Sequence, residues 1–130
     1  MIEIVPLTGI GEVRTGDDLA ATLRVALEDA GLRYRPGDVL VVTQKIVSKA
    51  EGRFVALDDV TPGEEALRLA DVTRKDARLV QLVLDESSDI VRAVPHVLIA
   101  RHRLGHVMAN AGIDRSNIGA CDEDRSVLLP

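Results

Sequence analysis

The spacing of apolar positions along the chain predicts three main helices. The first is expected to begin at Asp17 or Asp18 and to stop at Gly31, because apolar residues between these points recur at helical spacing. Those apolar residues are Leu19, Leu23, Ala26, Leu27 and Ala30. Thr61 and Asp76 are predicted to cap the second and third helices. The residues that the third helix is expected to bury are Leu79, Val80, Leu82 and Val83.

Shorter apolar runs predict strands over residues 2–5, 39–42, 91–94, 97–101 and 106–110, with a further strand starting near Phe54. The run Val39–Val42 is continuously apolar, which is typical of a strand buried on both faces of a sheet. Residues 102–105 are expected to join the last two strands as a hairpin. Together these elements predict an α+β (mixed α/β) fold, in which helices pack on a mixed sheet.

Composition fits one compact domain of 130 residues with an aliphatic core, because Tyr34 and Phe54 are the only aromatic residues. The net charge of −5, with 21 acidic against 16 basic residues, argues against a nucleic-acid-binding protein. No apolar run is long enough to span a bilayer, and no basic patch suits a membrane surface. Cys121 is the single cysteine, so an internal disulfide is excluded. These features favour a cytoplasmic protein.

Lys45 and Lys49 are two of the three lysines in the chain and are expected to flank a loop directly after the run Val39–Val42. Ligands often bind where buried strands end, and lysine can meet a phosphate there as a point charge. The alternative is an ordinary solvated loop. The sequence contains no P-loop, so a nucleotide site would be of another type.

Asp114 lies in a loop of small and polar residues that follows a predicted strand. A carboxylate in such surroundings suits a hard divalent cation, which prefers oxygen ligands. The alternative is an Asx turn, in which Asp114 caps its own loop. The acidic run Asp122–Asp124 is better explained as a solvated loop, and the three histidines lack zinc spacing with a cysteine.

Two segments, 41–53 (VVTQKIVSKAEGR) and 109–117 (ANAGIDRSN), resemble the F420-0:gamma-glutamyl ligase family. Gly16–Leu19 and the closing Leu128–Pro130 also fit, so that the resemblance extends over essentially the whole chain. The resemblance implies a GTP-dependent ligase of coenzyme F420 biosynthesis. Such an enzyme activates a carboxylate of F420-0 as an acyl phosphate and joins it to the amine of L-glutamate, with Mg²⁺ or Mn²⁺ as cofactor.

The same resemblance implies roles for individual residues. GTP contacts are expected at the loop Ile10, Gly11, Glu12 and Val13, and at Gln44, Lys45, Lys49 and Asn117. Asp114 corresponds to a metal ligand. Glu12 departs from the family pattern, which is usually apolar there.

Family members are roughly twice as long, so residues 1–130 correspond to the N-terminal part, without the C-terminal half. Two hypotheses follow. One is the N-terminal half of a ligase whose other half comes from a second polypeptide or has been lost from this chain. A homodimer is expected, because a half-domain exposes apolar surface. The other is a non-catalytic nucleotide-binding or interaction module.

Overall fold

The structure is a computed structural model that describes residues 1–115 and 126–130. The chain divides into two compact units, residues 1–52 and residues 53–130. Helices and antiparallel strand pairs occur together, which confirms the predicted α+β class. No helix in the described ranges is long and apolar enough to cross a membrane.

The first unit contains helix α1 (Leu19–Asp29) and the short helix α2 (Gln44–Ala50). The predicted start of α1 is confirmed, because the Asp18 carboxylate accepts a hydrogen bond from the backbone N–H of Ala21 at 3.0 Å. The predicted stop is confirmed as well. The helix is capped by Ala30, and Gly31 takes a φ of +66°, which glycine adopts without strain.

The two strands predicted in the first unit, over residues 2–5 and 39–42, are wrong. Neither run pairs with another segment of this unit, whose regular elements are both helical. Apolar side chains in both runs are largely exposed, with Val39 at 82% and Val41 at 86%. A strand needs a neighbour to satisfy its backbone hydrogen bonds, and local sequence does not supply one.

The segment that carries Lys45 and Lys49 was also predicted wrongly, as a loop. It forms α2, which Thr43 precedes in an extended conformation. The segment lacks proline and glycine before Gly52, so nothing in it opposes helix formation.

The second unit begins with strand β1 (Phe54–Ala56) and a 3-10 turn (Leu57–Asp59). Helices α3 (Glu64–Thr73) and α4 (Ala77–Asp85) follow. Strands β2 (Ser87–Val94), β3 (Val97–His102) and β4 (Val107–Ala109) form an antiparallel sheet in the order β2-β3-β4. A second 3-10 turn (Asn110–Gly112) ends β4, and strand β5 (Ser126–Leu128) pairs with β1. The predicted hairpin at residues 102–105 is confirmed.

The core of the second unit is aliphatic, as predicted. Helices α3 and α4 pack against each other and against β2. All four residues that α4 was expected to bury are buried, and they join Leu57, Leu69 and Leu98 in one cluster. Burial of a Leu or Val side chain contributes about 1.5–3 kcal/mol, so this cluster is the main source of stability in the unit.

One local prediction in the second unit needs correction. Helix α3 is capped by Gly63 rather than Thr61, without a side-chain cap hydrogen bond. Strand β5 was not predicted.

Asp76 gives a test of helix capping in α4. Its carboxylate accepts from the backbone N–H of Arg78 at 2.9 Å and pairs with the Arg78 guanidinium at 2.7 Å. We expect Asp76→Ala to lower the free energy of unfolding by about 1 kcal/mol, and Asp76→Asn by less, because asparagine also caps.

The pH dependence follows from the same contacts. The hydrogen bond from Arg78 holds the pKa of Asp76 below its ordinary value of 3.8. The stabilisation from the ionised carboxylate is therefore complete above that value and is lost as the pH falls through the folded-state pKa. In urea unfolding, the difference between wild type and Asp76→Asn should shrink on acidification below about pH 4. A difference that grows under those conditions would contradict this account.

Candidate functional site

In the first unit, the glycine-containing loop at residues 9–16 packs on the C-terminal end of α2. The Gly16 N–H donates to the carbonyl oxygen of Ala50 at 2.8 Å, and the Thr15 hydroxyl donates to the carbonyl oxygen of Lys49 at 3.3 Å. A Cβ at Gly52 would lie 2.8 Å from the Thr15 side chain, so only glycine allows this close approach. The loop and the lysine-bearing helix are thus held together.

This packing brings two of the predicted GTP-contacting residues into contact. The ammonium of Lys49 lies 3.8 Å from a carboxylate oxygen of Glu12. The Lys49 side chain is only 13% exposed, whereas that of Glu12 is 68% exposed. The lysine side chain is therefore largely enclosed by protein, and its carboxylate partner is largely in solvent.

The remaining predicted residues of α2 extend the same surface. Lys45 precedes Lys49 by one helical turn, so the two side chains lie on the same face. The Gln44 amide donates to the Ser48 hydroxyl at 3.2 Å, and Ser48 is buried. A face with two adjacent lysines suits a polyanion such as a phosphate chain.

The four residues predicted at the loop have different environments. Ile10 and Gly11 line a cleft of about 370 Å³ between the loop and α1. Glu12 faces Lys49, and the Val13 side chain is buried. A ligand would therefore meet Val13 through its backbone.

In the second unit, the segment before Asp114 adopts an uncommon backbone conformation. Asn110, Ala111 and Gly112 have consecutive positive φ angles of +50°, +53° and +81°. A Cβ at Gly112 would lie 2.6 Å from the Met108 sulfur and 3.4 Å from Pro130, so glycine is required there. The left-handed conformation costs alanine about 1–2 kcal/mol, and tight packing of the fully buried Ala111 maintains it.

Among the residues that the structure describes, the side-chain oxygen of Asn110 is buried without a hydrogen-bond partner. An acceptor left in this state costs about 1–3 kcal/mol. Asn110 lies in the segment 109–117, but the sequence analysis assigned it no role. Neither its positive φ angle nor its lack of a hydrogen-bond partner among the described residues can be predicted from the residue type. Strain and unsatisfied polar groups concentrate at functional sites, which draws attention to this turn.

The described residues fit a divalent cation only in part. Asp114 is partly buried and offers one carboxylate, and the Asn110 amide oxygen lies four residues before it in the chain. Within the described ranges, no three His, Cys, Asp or Glu residues cluster as a metal site would require. This donor set suits Mg²⁺ or Mn²⁺ held by a single protein carboxylate together with phosphate oxygens and water.

The predicted site residues are therefore distributed over two units. Glu12 and Lys49 are brought together within the first unit, whereas Asp114 belongs to the second. Convergence of the lysines with Asp114 stays a prediction. Asn117, the last predicted GTP contact, lies outside the described residues, as do Cys121 and Asp122–Asp124.

A buried ionic cluster in the second unit was not foreseen. One carboxylate oxygen of Glu86, a residue only 5% exposed, lies 2.8 Å from Arg53, 3.1 Å from Arg103 and 3.2 Å from the His102 ring. Arg53 also donates to the carbonyl oxygen of Pro130 at 3.2 Å. The cluster thereby fixes the end of the chain that packs on Gly112.

Comparison with known proteins gives the family. The family described as F420-0:Gamma-glutamyl ligase matches residues 9–130. The chain belongs to this family. It is 41% identical over 129 residues to a protein named coenzyme F420:L-glutamate ligase from Methanothermobacter thermautotrophicus, covering 99% of this chain and 50% of that relative.

Other relatives of the same name give a similar result. The protein from Archaeoglobus fulgidus is 39% identical over 129 residues, covering 99% of this chain and 48% of the relative. The protein from Halobacterium salinarum is 45% identical over 130 residues, covering 94% of this chain and 47% of the relative. The chain therefore spans about half the length of the curated relatives that it matches. The resemblance stated from the two motifs is confirmed at the level of the family.

Substitution of Asn110 tests whether the turn before Asp114 is strained. We expect Asn110→Gly to raise the free energy of unfolding by about 1 kcal/mol. It removes the unpaired oxygen, and glycine tolerates the positive φ, while a smaller loss comes from the greater freedom of glycine in the unfolded chain.

Asn110→Ala is the matched control, because it removes the same oxygen but keeps a Cβ at a positive φ. It should be less stable than Asn110→Gly by about 1 kcal/mol. Urea unfolding measures the unfolding free energies of both variants, provided that the dependence of the free energy on urea concentration is the same in each. A glycine variant that is less stable than wild type would mean that the Asn110 side chain stabilises the fold.

Proposed function

We propose that this chain supplies the N-terminal part of a GTP-dependent ligase that joins L-glutamate to coenzyme F420-0 by an amide bond. The observation that carries the proposal is the identity of about 40% with proteins named coenzyme F420:L-glutamate ligase, over nearly the whole chain. Mg²⁺ or Mn²⁺ is the expected cofactor, and the cytoplasm is the expected compartment.

The chemistry needs an activated carboxylate. A carboxylate oxygen of F420-0 attacks the γ-phosphorus of GTP, which gives an acyl phosphate and releases GDP. The glutamate amine then attacks the acyl carbon, forms the amide and releases phosphate and a proton. Both attacks bring electron-rich groups together, so cationic groups must offset the repulsion.

Each site residue has a role in this scheme. Lys45 and Lys49, on one face of α2, would neutralise the phosphate chain and orient it. Asp114 would hold a divalent cation, which when bound would neutralise phosphate oxygens as a Lewis acid. Asn117 is proposed as a further GTP contact on the basis of the resemblance alone.

Glu12 gives this chain a feature of its own. Its carboxylate lies beside Lys49 and competes with phosphate for the same ammonium. An ion pair of 3.8 Å with one exposed partner is worth less than about 1 kcal/mol. A triphosphate can therefore displace Glu12 at small cost.

Partners are part of the proposal. Activity is expected to need the segment that corresponds to the remaining half of the relatives. A homodimer is expected as well. The exposure of Ile2 and Ile4, 91% and 89%, supports association, because such apolar surface is stabilised when covered.

Nucleotide binding gives the first test. In calorimetric titrations with GTP and Mn²⁺, we expect Lys49→Met to weaken binding by about tenfold or more, because a charged hydrogen bond to phosphate is lost. Glu12→Gln should strengthen binding a few fold, because it removes the competing carboxylate. Lys75→Met, which alters the third lysine, is the matched control and should bind as wild type does. Equal affinities for all four proteins would refute a phosphate site at α2.

Turnover gives the second test. The chain is produced together with the C-terminal half of a relative, and GTP-dependent addition of glutamate to F420-0 is followed by mass spectrometry. We expect activity that depends on both polypeptides and falls at least about 100-fold in Asp114→Ala, because the cation loses its protein carboxylate. GTP binding without turnover, with every half that forms a stable complex, would instead favour a non-catalytic nucleotide-binding module.

A further inference from the structure

Arg53 joins parts of the second unit that are remote in sequence. Its backbone carbonyl oxygen accepts a hydrogen bond from the Leu129 N–H at 2.9 Å, and its side-chain Nε donates to the carbonyl oxygen of Pro130 at 3.2 Å. The Nη2 of the same guanidinium lies 2.8 Å from the carboxylate of Glu86. The Arg53 side chain therefore bridges the segment after β5 and the end of α4.

Pro130 is the residue through which this bridge reaches the turn before Asp114. Its Cβ and Cγ lie 3.4 Å and 3.6 Å from the position that a Cβ at Gly112 would take. The Ile113 N–H closes the turn by donating to the carbonyl oxygen of Asn110 at 3.0 Å. The positive φ angles in the turn persist only while the surrounding structure holds them. A displaced Pro130 would therefore loosen the backbone that leads into Asp114.

The cationic neighbours of Glu86 have different roles. The Nδ1 of His102 accepts from the Leu104 N–H at 3.1 Å, so the ring proton lies on Nε2, which donates to Glu86. Arg103 lies 3.1 Å from the same carboxylate oxygen, and its side chain is 53% exposed. The Arg53 side chain is only 27% exposed. Of these two arginines, Arg53 is the one that also donates to the carbonyl oxygen after β5.

A guanidinium is suited to hold both partners of Arg53 at once. Its Nε and Nη2 are separate donors in one rigid plane, so one can meet a carbonyl oxygen while the other meets a carboxylate. A lysine presents one compact ammonium, for which the carboxylate is the stronger acceptor. Arg53→Lys is therefore expected to keep a positive charge beside Glu86 and to lose the hydrogen bond to Pro130.

We infer that Arg53 is a positioning residue, whose guanidinium holds Pro130 against the turn Asn110–Gly112 and thereby sets the affinity of Asp114 for a divalent cation. The inference rests on the cation-binding role proposed for Asp114 and adds a residue that supports this role from a distance. Arg53 acts through the turn and takes no part in the chemical steps.

Three single substitutions separate this role from general stabilisation. Arg53→Lys removes the bond to Pro130. Arg103→Lys is the matched control, because it makes the same exchange beside the same carboxylate oxygen and leaves the bond to Pro130 in place. Pro130→Ala removes part of the ring that faces Gly112 and leaves both arginines unchanged. It therefore tests the same link even if Arg53→Lys folds poorly.

Two measurements are made on wild type and on each variant. Electron paramagnetic resonance gives the affinity for Mn²⁺, without and with GTP. NMR gives the hydrogen-exchange rates of the Ile113 and Val80 N–H groups. The Val80 N–H donates to the carbonyl oxygen of Asp76 at 3.0 Å and reports opening of the unit at α4, whereas that of Ile113 reports opening of the turn.

In Arg53→Lys and Pro130→Ala, the affinity for Mn²⁺ is expected to fall by about tenfold or more, as for other residues that support a metal ligand. Exchange at Ile113 should accelerate relative to exchange at Val80, and Arg103→Lys should match wild type in both respects. Unchanged Mn²⁺ affinity in Arg53→Lys and Pro130→Ala, with equal acceleration at Ile113 and Val80, would overturn the inference.

Failure of the proposed cation site has a different signature. A wild-type chain that binds no Mn²⁺ under either condition would refute that site, and with it the effect of Arg53 on affinity. Selective acceleration at Ile113 in Arg53→Lys would separately support the link from Arg53 to the turn.

Discussion

The contacts of the Glu86 carboxylate connect distant parts of the second unit. It is buried and is contacted by Arg53, His102 and Arg103, which come from two distant places in the chain. Loss of Arg53 would weaken the compensation of this carboxylate, because Glu86 is only 5% exposed. Arg53 transmits the constraint to Pro130, which packs on Gly112 in the turn before Asp114. The turn before the candidate metal ligand is thus linked to this ionic cluster.

The first unit is stabilised differently. Hydrogen bonds to backbone carbonyls and the close approach of one glycine hold its loop against α2. Gly52 lies against Thr15, and the loop donates two hydrogen bonds to the end of α2. These contacts fix the position of Lys49 while Glu12 remains exposed. A largely buried ammonium beside an exposed carboxylate is a favourable arrangement for exchanging an internal anion for an external one.

Sequence reasoning succeeded where structure is determined locally. The cap and the four buried residues of α4 were predicted correctly, because helical spacing and an Asp cap act within a few residues. It failed for Val39–Val42, because a β-branched run becomes a strand only beside a partner. The Glu86 cluster could not be predicted, since Arg53 lies 33 residues from Glu86 in sequence. Lys45, Lys49 and Asp114 were candidates from the residues themselves, and the other site residues came from a family resemblance. The structure brings Glu12 and Lys49 into contact.

The two unpaired runs of the first unit are directly continuous with its candidate site. Residues 2–5 lead into the loop that lines the cleft, and residues 39–42 lead into the helix that carries both lysines. The most exposed members of each run, Ile2 with Ile4 and Val39 with Val41, alternate as do the residues on one face of a strand. A partner that paired with these runs would fix the orientation of the loop and of the helix at their first residues. Covering of the apolar runs would therefore also position the loop and the helix that carry the candidate site residues.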